Sequence, residues 1–350
     1  MKKIIIFILL LIPIKVNASY IVMDAASSRV LEGSNIHEKR LIASTSKIMT
    51  CIIALENSDI NQEIEVDDEV LKAYGSAIYI EKGEHIKLID LLYGLMLRSG
   101  NDAAIEIANH VSSSIDEFVT LMNNKAKELN MKDTLFINPS GLEDNKGNGN
   151  ISTPYDMALL MSYALNNDLF KEIISTKKYI AKTDYKTYLW INKNKLLHDY
   201  KYCIGGKTGY TKKARRTLVT ASTKDNKTII VVTLNDPNDF KNHKLYYENN
   251  FKKYNLVNIL SKDDFKVDNY DNLYIKDNFN MLLTKKEENK IFIDYKITKV
   301  DNYNNDEQVG KAIIKLDNNI IKEIPIYIKI NKINKKSIIS KILDFIIFWR

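Results

Sequence analysis

The chain is poor in the residues that staple or punctuate small folds. Of 350 residues, 2 are Cys, 5 are Pro and 12 are Gly. So little proline and glycine excludes collagen-like and low-complexity chains, and a hydrophobic content of 45% excludes a wholly disordered one. Cys51 and Cys203 are too few for a disulfide framework, so the fold has to stand on its core. They read as two buried free thiols, with a single bridge as the open alternative. A surplus of one charge is also missing: 51 Lys and Arg against 44 Asp and Glu leave +7, and three of those positives, Lys2, Lys3 and Lys15, lie in a leader expected to be removed. So small an excess argues against nucleic acid as a partner. His37, His85, His110, His198 and His243 show no metal-ligand spacing, and no metal or other cofactor is expected.

Long hydrophobic runs are lacking too. The N-terminal apolar run from Ile4 to Ile14 falls short of the ~20 residues that cross a bilayer. Two lysines before it and Val16-Asn17-Ala18 after it mark residues 1–18 as a secretory signal peptide. At the other end, residues 335–350 (KKSIISKILDFIIFWR) place Ser337, Ser340, Lys341 and Asp344 at helical spacing among large apolar residues. A helix of this length is about 22 Å long at ~1.5 Å per residue, too short to span but suited to lie in the membrane interface. Packing of that helix on its own domain is the alternative.

What is present reads as two domains, since single cores stop growing at roughly 250 to 300 residues. YIVMD and RVLEG form a hairpin pattern, and residues 44–56 are apolar at nearly every position after Lys47, the mark of a helix buried on all sides. Helical patterns follow at LIDLLYGLMLRSG, AAIEIANHV, EFVTLMNNKAKEL and PYDMALLMSYAL. Strands return at CIGGKTGYT, TLVTAS and TIIVVTLND, and residues 240–259 read as a closing helix. Strands at both ends with helices between imply an α/β (α+β) catalytic region over residues 19–261, its sheet assembled from distant parts of the chain around a helical insert. Residues 262–334 turn to short β-branched and aromatic runs, expected to form a small all-β domain.

Three short motifs carry chemistry. Ser44-Thr45-Ser46-Lys47 opens the buried helix, so a serine and a lysine share one helix face. Serine becomes a nucleophile when a neighbouring base takes its proton, and lysine is such a base only if burial and a second cation keep it neutral. Ser175-Thr176-Lys177-Lys178 also fits Ser-x-x-Lys but opens no apolar helix. Ser99-Gly100-Asn101 sits between two helical patterns, where a glycine helix cap is the simpler reading of that tripeptide alone. Lys207-Thr208-Gly209 lies in a strand pattern followed by Tyr210. The glycine lets a substrate backbone approach a strand edge, while lysine and threonine hold a carboxylate.

Ser-x-x-Lys, Ser-x-Asn and Lys-Thr-Gly in this order resemble the penicillin-binding proteins and serine β-lactamases. ASTSKIMT, LMLRSGNDAA, NPSGLED, STPYDMALL and GGKTGYTKKA are more closely similar to low-molecular-mass D-alanyl-D-alanine carboxypeptidases, over nearly the whole chain. The resemblance implies the penicillin-binding protein/β-lactamase-like transpeptidase fold, an antiparallel sheet with flanking helices. It implies Ser44 as acylated nucleophile, Lys47 as its base and Ser99 as proton relay. Asn101 is then expected to hold the substrate amide, Lys207 and Thr208 to bind the terminal carboxylate, with Lys207 also keeping Lys47 neutral. Gly209 lines the strand edge, and the Ser44 and Tyr210 N–H groups form an oxyanion hole. The implied partners are a peptidoglycan stem peptide ending in D-Ala-D-Ala, β-lactams as covalent inhibitors and the outer face of the cytoplasmic membrane. Arg215 and Arg216 are further candidates for the carboxylate site.

Two other readings are weaker. A β-lactamase of this type needs a glutamate four residues before an asparagine, and the nearest asparagine, Asn130, has Ala126 at that place. A silent wall-binding scaffold would not need every catalytic side chain. N-terminal sequencing of the exported protein is expected to start at Ser19; an intact Met1 would contradict the leader reading.

Overall fold

The computed structural model describes residues 18–298 and 303–329. Most of the expected leader and the whole expected membrane-surface helix lie outside the described residues. The chain divides into two compact units, one ending at Lys252 and one starting at Lys253.

The first unit is built on a five-stranded antiparallel sheet: β1 (Ser19–Asp24), β2 (Val30–Ser34), β3 (Cys203–Thr211), β4 (Arg215–Lys224) and β5 (Lys227–Leu234), in the order β2-β1-β5-β4-β3. Asp225 and Asn226, both at positive φ, join β4 to β5 in the tight turn those residue types favour. Both faces of the centre are buried, and the period of two divides them. Val219, Ala221, Ile230 and Val232 join the main core with Met157 and Leu160 of the Pro154–Ala164 helix. Thr220 and Thr233 face the other way, onto the Asp239–Lys253 helix, where both hydroxyls bond the His243 ring at 2.7 and 3.0 Å.

Between β2 and β3 lies the helical insert. At its centre the Lys47–Asn57 helix is buried at every residue from Lys47 to Ala54, as its unbroken apolar text requires. Cys51 and Cys203 are free and buried, so the open alternative of a bridge is not realised.

The closing helix stops earlier than its text suggests. It ends at Lys253, and Asn255–Leu260 is a strand of the second unit paired with Phe279–Leu283. Short apolar runs do not distinguish helix from strand by periodicity; Leu256 and Val257 find cross-strand partners in Leu282 and Met281. The division therefore falls at Lys252 and Lys253, before the expected boundary at residue 261. The second unit adds a four-stranded antiparallel sheet in the order Leu273–Tyr274, Asn319–Ile328, Gln308–Leu316, Ile291–Ile297. Its own core includes Phe279, Met281, Val309, Ile314 and Ile326.

Burial pushes the His243 pKa down to about 3, below the ~6.5 of an exposed imidazole. The unfolded chain therefore takes up a proton below that value which the folded chain refuses, so stability is full above about pH 6.5 and falls as pH drops toward 3. Thermal melts between pH 7 and 4 are expected to show a smaller decline in the His243→Gln variant than in the parent; equal declines would count against this.

Candidate active site

Ser44 sits half-buried in the 3-10 turn Ala43–Ser46 that leads into the Lys47–Asn57 helix. One turn on, the wholly buried Lys47 Nζ lies 3.2 Å from Ser44 Oγ, 2.7 Å from Asn101 Oδ1 and 2.5 Å from the Ser140 carbonyl. None of these partners is a carboxylate. Burial first, then the Lys207 and Lys193 charges, drive the Lys47 pKa well down, with Asp102 opposing. A neutral amine has two N–H donors and one lone pair. Amide and carbonyl oxygens only accept, so they take the two donors and leave the lone pair facing the Ser44 hydroxyl.

Ser99 closes the Leu88–Tyr93 helix, which runs on as a π-turn over Gly94–Arg98. The left-handed residue of this helix end is Ser99 itself, at φ 65 and ψ 36, not the glycine beside it as a simple cap would have it. A serine held there carries strain of the kind that accumulates at functional sites. Gly100 precedes the next helix, Asn101–Val111.

Asn101 is buried, with Oδ1 accepting from Lys47 at 2.7 Å and one N–H of Nδ2 donating to the Tyr74 carbonyl at 2.6 Å, so the side chain fixes the amine and keeps a second amide N–H. Next to it Asp102 accepts from the backbone N–H groups of Ile78 and Tyr79, with shortest contacts of 2.9 and 2.7 Å, and straps residues 74–79 to the helix start.

β3 forms the opposite wall and is an edge of the sheet. Lys207 is buried, donates to the Thr208 carbonyl at 2.9 Å, and has its pKa lowered to about 7 by burial and then by Lys193. A Cβ on Gly209 would stand 3.0 Å from Ser44 N and 2.4 Å from Thr217 Oγ1, so only glycine lets this strand come so close to the serine. Thr217 on β4 secures the approach by donating to the Ile42 carbonyl at 3.0 Å.

These walls enclose a cleft of about 310 Å³ lined by Ser44, Ser99, Thr208, Gly209 and Tyr210 together with Ser76, Lys193, Lys195, Arg216, Asp239 and Phe240. Lys47, Asn101 and Lys207 stand behind it. Of the two candidate arginines only Arg216 lines the cleft, held by Asp239 at 2.8 Å and stacked over Phe240. Sequence reasoning missed Asp102, Ser140 and Lys193. Ser140 lies in the quoted NPSGLED run, and Asp102 follows Asn101 directly; Lys193 sits in an unremarkable NKNK stretch and gave no signal. Ser175, the second Ser-x-x-Lys serine, ends the Asp168–Ser175 helix outside the cleft lining.

The fold is that of the penicillin-binding transpeptidases. Penicillin binding protein 5 from Haemophilus influenzae superposes with a TM-score of 0.72 at 22% identity, covering 89% of this chain and 96% of that one. A D-alanyl-D-alanine carboxypeptidase structure from Mycobacterium tuberculosis H37Rv gives 0.64 at 30% identity, over 67% of this chain and 90% of the other. In sequence the chain is 33% identical over 220 residues to D-alanyl-D-alanine carboxypeptidase DacF of Bacillus subtilis (strain 168), a match spanning 61% of this chain and 56% of that protein. The family model for D-alanyl-D-alanine carboxypeptidase, Peptidase_S11, matches residues 13–238, and the chain belongs to that family.

The closeness of β3 to Ser44 N makes Gly209 a sharp test of the geometry. Gly209→Ala is expected to slow acylation by a labelled penicillin on the order of a hundredfold, the cost of a displacement of about 1 Å, while circular dichroism stays as in the parent. Unchanged labelling would contradict the contact.

Proposed function

We propose that the protein is a serine-type D-alanyl-D-alanine carboxypeptidase acting on peptidoglycan stem peptides. The observation that carries this is the burial of Lys47 beside the Ser44 hydroxyl with no carboxylate among its hydrogen-bond partners. Ser44 Oγ attacks the carbonyl carbon of the penultimate D-alanine while its proton passes to the Lys47 lone pair. The negative charge that develops on the carbonyl oxygen is met by the Ser44 and Tyr210 N–H groups, an arrangement worth ~3 to 4 kcal/mol per donor in a well-studied hydrolase. As the C–N bond breaks, the proton on Lys47 returns through the Ser99 hydroxyl to the departing nitrogen, and free D-alanine leaves. Water then cleaves the Ser44 ester and releases the shortened peptide. Thr208 at the wall and Lys207 behind it favour the terminal carboxylate, and Asn101 acts on the reaction by fixing the Lys47 amine.

A β-lactam offers the same carboxylate and a strained amide, but its leaving nitrogen stays tethered. Among the described residues the only carboxylate lining the cleft is Asp239, which Arg216 holds. Ala126 lies inside the Ile115–Glu128 helix, so no glutamate of the β-lactamase kind supports fast deacylation. The leader pattern and the nature of the substrate support export to the outer face of the cytoplasmic membrane, with residues 335–350 as the surface anchor and the second unit as a spacer toward the wall.

Parent protein and Ser44→Ala are to be incubated with labelled penicillin and, in parallel, with a pentapeptide ending in D-Ala-D-Ala. Stable labelling and released D-alanine, both lost in the variant, are expected. Rapid penicillin turnover would favour a β-lactamase, and no labelling of the parent would favour a silent scaffold.

A further inference from the structure

Resting on the carboxypeptidase reading, we propose that Lys193 is the ammonium that meets the substrate's terminal carboxylate inside the cleft, and that it sets the preference for a free acid over a capped C-terminus. A carboxylate entering here has four cationic side chains to choose among. Lys207 is buried, does not line the cleft, and already donates to the Thr208 carbonyl. Arg216 lines the cleft, but both of its bonded nitrogens rest on Asp239 Oδ1, at 3.1 and 2.8 Å. Its charge is matched before any ligand arrives. Lys195 lines the rim as well, at the first turn of the short Lys195–Asp199 helix, and does not number among the charges that press on the buried lysines.

Lys193 differs from all three. Among the described residues no carboxylate pairs with it; its Nζ donates to a neutral oxygen, Ser76 Oγ, at 3.2 Å. Both ends of that contact line the same cleft as Ser44, Ser99 and Thr208. Its backbone is fixed as well, with N–H donating to the Leu97 carbonyl at 3.1 Å, two residues before Ser99, so the ammonium cannot drift far from the reacting serine. It is also near enough to both buried lysines to lower their pKa values, while partial desolvation and then Arg98 lower its own. An exposed ammonium with a hydroxyl partner and cationic neighbours is short of negative charge, and a bound carboxylate supplies it. With Lys207 drawn down to about 7, a share of the charge expected there is absent at neutral pH, and Lys193 makes up the difference from the solvent side.

In this arrangement the carboxylate displaces Ser76 from Lys193, takes the Thr208 hydroxyl as its second partner, and places the scissile carbonyl over Ser44. A peptide ending in D-alanine amide lacks the charge and gains nothing from Lys193. The test compares kcat/KM for a D-Ala-D-Ala peptide acid with that for the same peptide carrying a C-terminal amide, in the parent, Lys193→Gln, Lys193→Arg and Arg216→Gln. Lys193→Gln is expected to lose about ten- to a hundredfold on the acid, mostly in KM, the size of a charged hydrogen bond, with little change on the amide. Lys193→Arg restores most of the acid preference. An acid-to-amide ratio left unchanged by Lys193→Gln but abolished by Arg216→Gln would overturn the proposal and leave the carboxypeptidase reading intact. A parent that releases neither D-alanine from the acid nor D-alanine amide from the capped peptide would overturn both.

Discussion

The site depends on an amine buried without a counter-ion. Removing a charged ammonium from water costs several kcal/mol unless an anion compensates it, and among the described residues the hydrogen-bond partners of Lys47 Nζ are a hydroxyl, an amide oxygen and a carbonyl, with Asp102 acting only from a distance. Burial accordingly drives the pKa of the group well down, and the same burial that makes a charge costly favours the free base. The surroundings have to be rigid for this to hold. They are: Lys47 lies in a helix buried through Ala54, Asn101 is anchored by the Tyr74 carbonyl, and Ser140 belongs to a turn whose Gly141, at φ +84, sits against the Ala43 carbonyl so tightly that a Cβ would come within 2.0 Å. A loosened neighbour would admit water, and water would let the ammonium return.

From that constraint the rest of the cleft follows. A neutral amine is useful only if the serine beside it can reach a substrate, and Ser44 reaches one because it sits on a turn ahead of the helix and not within it. The substrate in turn needs a wall to lie against. β3 supplies an unpaired edge, brought up to the serine by Gly209 and tied there through Thr217. Asn101 and Lys207 stay behind the walls, and Ser99, Thr208 and Tyr210 line the opening.

Much of this was legible in the chain. The uninterrupted apolar text after Lys47 announced a buried helix, alternation announced the strands on either side of the insert, and three motifs brought Ser44, Lys47, Ser99, Lys207 and Thr208 to one place. What could not be read is informative in a different way. That Asn101 Oδ1 would take the Lys47 amine was hidden, because its motif names a residue type and says nothing of which way the side chain turns. The left-handed Ser99 was hidden by the glycine that follows it, the residue local propensity would choose for that conformation. The boundary near Lys253 was blurred because six residues of LVNIL-like text satisfy either period, and partner strands elsewhere decide it. Lys193 was invisible, since what distinguishes it from its neighbour Lys195 is a contact with Ser76, more than a hundred residues away in sequence.

Charge shows the same gap between a text and a fold. The formal excess of +7 counts every lysine as positive and every carboxyl as negative. In the folded chain the Lys47 pKa is driven well down, that of Lys207 is drawn down to about 7, and that of Glu106, buried on the helix that begins with Asn101, is pushed up to about 8 by burial and by Asp67. Among the described residues one Glu106 oxygen has no hydrogen-bond partner, so no donor there steadies its charged form. Burial thus removes positive charge from the floor of the cleft and negative charge from the helix beside it. The compensated pair of Arg216 and Asp239 adds no net charge to the rim. The field a substrate meets is set by the cations left exposed and unpaired at the mouth, and their number follows from packing, not from composition.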